Sequence, residues 1–528
     1  MSSSARVTAL IALAVGLLAL TVRVLLVARA ATGMAGIDGY DGGVYYAAST
    51  SLLWGRVPYE DFVLLHPPGI MLLLMPFAVL GRLTSDTLGF EAARAVSLLV
   101  GAVNATLLVV LVRRAGLGWG AAAVAGALYA VWTPAAMAET TIRLEPWVTL
   151  GLLAALLLLL TSGRPPPTGH LLLAGCCLGS AFSVKIWAVA PALFVLLWCW
   201  RRWGHAALAG MLLGVGIAVT ALDLPFLAAA PAVMWRMVVL DQLGRQRTMV
   251  SIPQRVTTTL LDGRPVPLQS AVGREALVVL VLVGSVVLVG ALRTRVGRFA
   301  VGLLAVQLVV LALSPSFYSY YPAFAAPTIA LLAGAAVGGV VGLAHQLRRG
   351  RLRGPIGRTV SAVVSLATAA GVLVVLGVAY GVDGQVVVRR PFPATVIASD
   401  AAGARCVTSD SPDALLLTNL FSRDLMRGCP APVDLSGLRF DVDASLRPDG
   451  RPYPRAHNGR WQHTLVSYLR DGQMIFVMRS ADDGVSALLR HRVLRLPTVA
   501  AGAGYRLFDN DGGPLRSPPR HHSVRTRA

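Results

Sequence analysis

The feature that most constrains this chain is a series of eleven apolar runs, each close to the length that a helix needs to cross a membrane. A span requires about 20 apolar residues, with about 17 as a practical lower limit. Hydrophobic residues make up 55% of the 528 positions and charged residues only 14%, more apolar than a soluble protein needs. We therefore predict an all-α polytopic membrane protein. The predicted spans are approximately 7–28, 92–112, 118–135, 147–162, 169–184, 186–201, 206–226, 276–292, 298–314, 322–344 and 359–381.

The net charge of +21 is distributed as short arginine clusters between the apolar runs. This pattern sets topology and does not form a nucleic-acid groove, so no nucleic acid is expected as a partner. With a cytoplasmic N-terminus, five clusters fall inside, as the positive-inside rule requires. They are Arg113–Arg114, Arg164, Arg201–Arg202, Arg293–Arg298 and Arg348–Arg358.

If the apolar segment 67–82 crossed the membrane, Arg113–Arg114 and most of the later arginine clusters would lie outside, against the positive-inside rule. We therefore interpret it as a helix in the outer interface. The prediction is a multi-pass protein of the plasma membrane with an extracytoplasmic C-terminal part. The other loops predicted on that side are 31–91, 136–146 and 227–273.

The C-terminal part changes to the composition of a water-soluble segment, with short apolar runs separated by Pro, Gly and Asp. We predict a transmembrane catalytic module over 1–384, a small extracytoplasmic α/β domain over 385–512 and a disordered tail over 513–528. Cys406 and Cys429 would lie in an oxidising compartment, which favours a disulfide between them; the alternative is two unpaired buried thiols.

The first external loop carries candidates for catalysis. Asp38 and Asp41 lie in a glycine-rich stretch that lets the backbone approach a ligand. A carboxylate at a membrane-shielded edge can gain the proton affinity of a general base, and the nearby Tyr45 can line a sugar. A glycine-rich turn with solvated aspartates is the alternative. His66 has no metal partner at ligand spacing, so we expect it to hydrogen-bond or cap a helix, and we assign it with Tyr45 to substrate binding.

Charges at the mouths of later spans are the next candidates. Glu139, Arg143 and Glu145 lie within seven residues, and charges near a membrane interior tend to be paired or functional. We assign them to substrate binding, with a structural Arg143–Glu145 or Glu139–Arg143 ion pair as the alternative. Lys185, the only lysine, lies between two short spans, where it suits a lipid-linked phosphate; snorkelling to the interface is the alternative.

Two further sets lie on the same predicted side. Arg236 and Arg245 belong to a group of loop arginines that the positive-inside rule does not explain, whereas an anionic lipid carrier would. Tyr318, Tyr320 and Tyr321 open the tenth span and can donate to phosphate oxygens, although an interfacial aromatic belt would also account for them.

In this order, the motifs resemble those of the GT-C superfamily of integral-membrane glycosyltransferases that use polyprenyl-phosphate sugars. The likeness is greatest to protein O-mannosyltransferases and to the aminoarabinose transferases that modify lipid A, and it covers most of residues 7–345. Asp41-Gly42-Gly43-Val44-Tyr45 occupies the place of the family's Asp-Glu-x-x-Tyr pattern, with Gly42 in place of its glutamate. His66-Pro67-Pro68-Gly69 is similar to the His-Pro-Pro-Leu motif.

Three later positions extend the resemblance. Glu145 is similar to an acidic residue at the mouth of the fourth span, Lys185 to the lysine of a Thr-Lys-like motif, and Tyr320-Tyr321-Pro322 to the Tyr-x-x-Pro region. The C-terminal part resembles external domains of actinobacterial arabinosyl- and mannosyltransferases of cell-wall assembly. Mannose and arabinose are therefore the favoured sugars.

The resemblance implies an inverting glycosyltransferase. Asp41, with Asp38 as second candidate, would deprotonate an acceptor hydroxyl, which attacks the anomeric carbon while Lys185 and loop arginines stabilise the leaving polyprenyl phosphate. The acceptor would be a cell-envelope glycan, lipid or protein. Some family members hold a divalent cation near the aspartate; for this chain the metal requirement stays open. The alternative function is a transporter or flippase of a lipid-linked saccharide, although the internal repeat typical of transporters is not evident.

Overall fold

The computed structural model describes residues 3–160, 165–245, 248–265, 267–349, 393–440, 447–448, 453–478, 485–502 and 505–511. Within them the chain is mostly helical and carries one small sheet. The predicted span 359–381 and the predicted tail 513–528 lie outside the described residues.

Sixteen α-helices precede residue 350 in the described chain. Helices α1 to α8 are Ser3–Ala28, Asp41–Leu53, Gly69–Leu83, Asp86–Arg114, Trp119–Val131, Thr133–Ala138, Glu145–Leu159 and Thr168–Val184. Helices α9 to α16 are Val189–Leu222, Leu224–Ala229, Pro231–Trp235, Asp241–Leu243, Ile252–Leu260, Ala271–Leu292, Arg295–Leu313 and Ala326–Arg349. A π-helical turn, Arg236–Leu240, joins α11 to α12.

The helices are those of a multi-pass membrane protein. Among the described residues, six are long and apolar enough to cross a membrane: α1, α4, the Ile186–Leu222 helix that includes α9, α14, α15 and α16. Helices α3, α5, α7 and α8 are apolar but shorter. The predicted spans 186–201 and 206–226 both fall largely within α9, whose backbone departs from helical geometry at Gly204. The number of spans stays a prediction.

Small residues let neighbouring helices approach closely. A Cβ on Gly175 of α8 would lie 2.1 Å from the carbonyl oxygen of Met211 in α9. A Cβ on Gly214 of α9 would lie 2.0 Å from the carbonyl oxygen of Leu172 in α8. Because apolar burial does not distinguish a helix neighbour from lipid, such close van der Waals packing is what holds membrane helices together.

The predicted first external loop, 31–91, contains more helix than the sequence indicated. Residues Asp41–Leu53 form α2, so the glycine-rich stretch is the start of a buried helix and not a turn. Asp41 lies in the first turn, where a negative charge is favourable beside the exposed amide groups. The predicted interfacial segment 67–82 corresponds to α3, and α4 begins at Asp86, earlier than the predicted residue 92.

The C-terminal part contains a four-stranded sheet in the order β1-β2-β4-β3. The strands are Val407–Ser409, Met474–Val477, Thr498–Gly502 and Tyr505–Asp509. Strands β1 and β2 are parallel, whereas β4 is antiparallel to both β2 and β3. Helices α17 to α21 are Ala394–Asp400, Pro412–Leu417, Phe421–Met426, Gly459–Asp471 and Ala487–Leu494. A disulfide joins Cys406 to Cys429.

The C-terminal part packs directly on the helical module. The side chain of Asp86, the first residue of α4, accepts hydrogen bonds from the amide and the hydroxyl of Ser422 at 2.8 and 2.5 Å. The amide of Thr87 donates to the Asn419 side chain at 3.0 Å. One hydrophobic core includes residues of α2, α3, α18 and β2. The start of α4 is therefore fixed between the two parts of the chain.

Candidate active site

A cavity of about 310 Å³ lies where α2, α7, the α15–α16 connection and the C-terminal part meet. This volume is at the lower end of the range for small-molecule sites. Ten of the side chains predicted for the site line it: Asp41, Tyr45, His66, Arg143, Glu145, Lys185, Arg245, Tyr318, Tyr320 and Tyr321. These residues come from six separate stretches of the sequence, which the fold brings to one place.

Asp41 is held by two donors. The guanidinium of Arg143 donates to Asp41 Oδ2 at 2.5 Å, and the hydroxyl of Tyr320 donates to the same oxygen at 3.0 Å. Arg143 also lies over the Tyr320 ring, 4.0 Å from its centroid. Oδ1 of Asp41 accepts no hydrogen bond from the described residues, and 36% of the side chain is exposed. The carboxylate is thus fixed in place and still has one oxygen for a proton.

Lys185 and Glu145 form a buried ion pair in the cavity wall. The ammonium lies 2.5 Å from Glu145 Oε1, and only 4% of Lys185 is exposed. Lys185 Nζ is also 3.9 Å from the centroid of the Trp187 ring and 4.8 Å from that of Tyr321. The predicted snorkelling alternative does not describe this lysine, because its charge points into a shared pocket and is compensated there.

Arg245 is the cation of the cavity that lacks a carboxylate partner among the described residues. Three tyrosines accompany it: the Tyr318 and Tyr320 rings stack with centroids 5.8 Å apart, and Tyr321 meets Tyr320 edge-on at 5.1 Å. Burial, followed by the charge of Asp41, raises the pKa of Tyr320 well above its ordinary value. Its hydroxyl therefore remains a hydrogen-bond donor at neutral pH.

His66 lies in the cavity wall in its neutral form. Burial first, and then the positive charges of Arg245 and Lys185, hold the pKa of His66 well below its ordinary value. The Tyr45 ring meets the imidazole edge-on with centroids 5.6 Å apart. Nδ1 of His66 is buried without a hydrogen-bond partner among the described residues. Since a buried polar atom without a partner is costly, this nitrogen is suited to bind a ligand.

Three predicted site residues lie outside the cavity wall. Asp38 accepts a hydrogen bond from the buried Arg94 at 2.9 Å, so of the two candidate bases only Asp41 lines the cavity. Glu139 is completely buried and pairs with Arg23 of α1, while the Tyr129 hydroxyl donates to its other oxygen at 2.6 Å. These pairs form deep in the helical module, where a lone charge would be too costly.

Arg236 is the third predicted site residue outside the cavity wall. It belongs to the π-helical turn and lies 3.8 Å from Asp241. Arg236 and Glu139 were both assigned to the site because they were predicted to lie on the outer side of the membrane. The side of the membrane alone does not decide which partner a charged side chain finds.

Among the cavity residues not assigned to the site from the sequence, four are polar or aromatic: Tyr40, Trp187, Gln242 and Asp434. Tyr40 and Trp187 are close neighbours of Asp41 and Lys185, so adjacency to an assigned residue was an available signal. Gln242 lies in the same predicted loop as Arg245. No sequence signal pointed to Asp434, because it is almost four hundred residues away from the first loop.

The metal requirement was left open by the sequence. Among the described residues, no group of three or more His, Cys, Asp or Glu side chains is placed to hold a metal ion. Next to Asp41, the guanidinium of Arg143 supplies the positive charge.

No family model and no curated protein sequence matches this chain. Several solved structures, in contrast, match it in fold. ArnT from Cupriavidus metallidurans bound to undecaprenyl phosphate matches with a TM-score of 0.58 at 17% identity, over 98% of this chain and 100% of that one. The apo state of the same protein gives a TM-score of 0.61.

The archaeal oligosaccharyltransferase AglB from Archaeoglobus fulgidus, in complex with an inhibitory peptide and a dolichol-phosphate, matches with a TM-score of 0.53 at 12% identity. The match covers 89% of this chain and 69% of that one. Both neighbours are GT-C glycosyltransferases, so the predicted resemblance to this superfamily is confirmed at the level of the fold. At these identities the likeness concerns the fold alone.

Proposed function

We propose that this chain is an inverting glycosyltransferase that moves a sugar from a polyprenyl-phosphate donor to an acceptor hydroxyl at the outer face of the plasma membrane. One observation carries the proposal: a single cavity holds a fixed carboxylate, Asp41, together with Arg245 and two further tyrosines, Tyr318 and Tyr321. A carboxylate base and a separate set of phosphate donors are the two components that a direct displacement requires. The fold shared with ArnT and AglB supports it.

Asp41 would act as the general base. Its Oδ1 takes the proton of the acceptor hydroxyl as that oxygen attacks the anomeric carbon of the donor sugar. The bond from the anomeric carbon to the phosphate oxygen breaks, and the polyprenyl phosphate leaves with the electron pair. Attack from the face opposite the leaving group inverts the configuration. Arg143 and Tyr320 keep the carboxylate in position through Oδ2.

The phosphate would lie against Arg245. This guanidinium can form two parallel hydrogen bonds to phosphate oxygens, and Tyr318 and Tyr321 can add hydroxyl donors. The buried Nδ1 of His66 is a further partner on this side. Lys185 is already paired with Glu145. We therefore assign an indirect role to its ammonium, whose positive charge offsets part of the negative charge that the phosphate brings into the cavity. The undecaprenyl phosphate bound to ArnT is a ligand of the proposed class.

The sugar and the acceptor extend the proposal beyond the cavity geometry. Mannose and arabinose are the sugars we favour, and a glycan, lipid or protein of the cell envelope is the acceptor. Loops 31–91, 136–146 and 227–273 and the C-terminal part would face outward, where such acceptors are found. These assignments rest on the motif resemblance and on the position of the arginine clusters.

The test is a transfer assay with the purified full-length chain in detergent, using polyprenyl-phosphate mannose and polyprenyl-phosphate arabinose as donors. Asp41→Asn keeps the shape and the acceptor atom for Arg143 but removes the base, and we expect transfer to fall by a factor of about 10² to 10⁴ while donor binding persists. Asp38→Asn, outside the cavity wall, is the matched comparison.

A deletion strain gives an independent readout. Its cell-wall glycans and lipid-linked oligosaccharides should change, and wild type but not Asp41→Asn should restore them. Unchanged glycans in the deletion strain, or full activity of Asp41→Asn, would refute the proposed transferase.

A further inference from the structure

The C-terminal part contributes a carboxylate to the cavity. Asp434 lines it, is only 8% exposed, and is joined to the residue that precedes Asp41. The hydroxyl of Tyr40 donates to Asp434 Oδ1 at 2.9 Å, and the amide of Gly437 donates to the same oxygen at 2.8 Å. The amide of Ser436 in turn donates to the Tyr40 hydroxyl at 3.0 Å. Asp434 is therefore held rigidly beside the start of α2.

The segment that carries Asp434 is anchored on both sides. Arg56 donates to the carbonyl oxygen of Ala431 at 2.6 Å, and the Trp461 indole donates to that of Leu435 at 2.8 Å. Val433 is buried in the core that α2 shares with the C-terminal part. These contacts fix the position of this wall of the cavity without a contribution from ligand.

The chemistry of Asp434 selects the kind of ligand group it can meet. An ionised carboxylate only accepts hydrogen bonds, and it repels a phosphate. In the same cavity, Arg245, Tyr318 and Tyr321 are the side chains that suit the phosphate. A hydroxyl is the group of a sugar donor or a sugar acceptor that a carboxylate binds, and the adjacent Tyr40 ring offers a face for the sugar.

We propose that Asp434, positioned by Tyr40, is a specificity-determining residue that accepts a hydrogen bond from a hydroxyl of the saccharide reacting at Asp41. The inference rests on the proposed transferase and adds a residue to it from the opposite end of the chain. The hydroxyl belongs either to the donor sugar or to the acceptor sugar, which share this chemistry. In both cases the C-terminal part completes the site.

The experiment compares sugar analogues that lack single hydroxyls. Purified full-length protein in detergent is assayed with polyprenyl-phosphate mannose or arabinose as donor and an octyl mannoside or arabinoside as acceptor. One arm uses singly deoxygenated donors and the other uses singly deoxygenated acceptors. In the wild type, we expect one deoxy position to lower kcat/KM by about tenfold to a hundredfold, the range for a hydrogen bond to a charged group.

Asp434→Asn should discriminate much less between the intact and that deoxy sugar, because a neutral amide replaces the charged acceptor of the hydroxyl. The asparagine oxygen still accepts from Tyr40 and Gly437, so the turn is kept. Tyr40→Phe removes the group that orients Asp434 and should reduce the discrimination in part. Ser436→Ala, on the same turn but outside the cavity wall, should discriminate as the wild type does.

The arm in which the discrimination disappears identifies the donor or the acceptor as the source of the hydroxyl. An Asp434→Asn protein that melts at the wild-type temperature and rejects every deoxy sugar as strongly as the wild type would overturn the inference. If the wild type transfers sugar in that same experiment, the proposed transferase activity is still supported. A wild type that transfers from none of the donors would instead refute the transferase and this inference with it.

Discussion

Among the charged residues of the cavity, the individual partners decide what each can do. Asp41 and Glu145 are each bound by a cation, Arg143 and Lys185, whereas Arg245 has no carboxylate partner among the described residues. An arginine whose donors are not already committed is the stronger phosphate ligand. The sequence placed Lys185 and Arg245 in the same role, and only the contacts separate them.

The Arg245→Ala variant tests this distinction. Loss of a charged hydrogen-bond donor to the phosphate should lower kcat/KM for the polyprenyl-phosphate donor by about tenfold to a hundredfold. Arg236→Ala is the matched control, because Arg236 lies beside Asp241 and outside the cavity wall. Equal losses in the two variants would show that general positive charge, and not a specific contact, binds the donor.

The Lys185–Glu145 pair gives a second prediction at this scale. In Lys185→Met the carboxylate of Glu145 stays buried without its partner, which should cost about 3–5 kcal/mol and lower the thermal midpoint in detergent. The double variant Lys185→Met with Glu145→Gln removes both charges and should recover most of the stability. A single variant as stable as the wild type would mean that the pair does not form.

At the scale of elements, the start of α2 is the critical junction. The C-terminal helix α18 reaches it through Asp413, and a Cβ on Gly43 would lie 2.4 Å from that carboxyl group. Arg94 of α4, fully buried, donates to Asp38 at 2.9 Å and lies 4.0 Å from Asp413. Three elements distant in sequence thus meet where the catalytic candidate Asp41 is presented.

This junction predicts a pH dependence of stability. Burial, against the opposing charge of Arg94, raises the pKa of Asp413 to about 7, while an unfolded aspartate has a pKa of about 3.9. Between these values the unfolded chain releases a proton that the folded chain retains, so the contribution to stability is full at low pH and is lost as pH rises to about 7.

Asp413→Asn should remove this loss. The difference in thermal midpoint between the variant and the wild type, measured in detergent from pH 4 to pH 8, should shift in favour of the variant as pH rises. Asp38, Arg94 and Ser411 face the carboxyl group and remain unchanged in the comparison. A difference that is constant with pH would contradict the raised pKa.

At the scale of the whole molecule, the proposed function depends on the orientation of the chain in the membrane. The proposed function requires the cavity to open outward, and residues 31–91 to lie outside. A Glu60→Cys variant, exposed in the structure, should react with a membrane-impermeant maleimide in intact cells. Gly118→Cys, exposed between α4 and α5 on the predicted cytoplasmic side, should react only after permeabilisation. Background variants lacking Cys176, Cys177 and Cys199 remove the free thiols. The reverse labelling pattern would refute the topology.

The part of the structure that could be predicted from the sequence differs between the fold and the candidate site. The membrane class followed from the apolar runs, because the hydrocarbon imposes helix length and composition directly on the residues. Residues near one another in a motif, such as Asp41 and Tyr45, were assigned together and do line one cavity. The helix α2 was not predicted, because its glycines are accommodated by tertiary contacts that local propensity does not include.

The sequence by itself determined that this chain is a multi-pass helical membrane protein, because that depends on local composition. It also predicted which short motifs resemble the GT-C pattern, because that depends on local spacing. Only the tertiary structure decided that Asp41 lies in the cavity while Asp38 binds Arg94, and that Glu139 binds Arg23. It also brought Asp434 to the site. The physical reason is that a buried charge takes whichever partner the packing places within reach, and that partner is often hundreds of residues away.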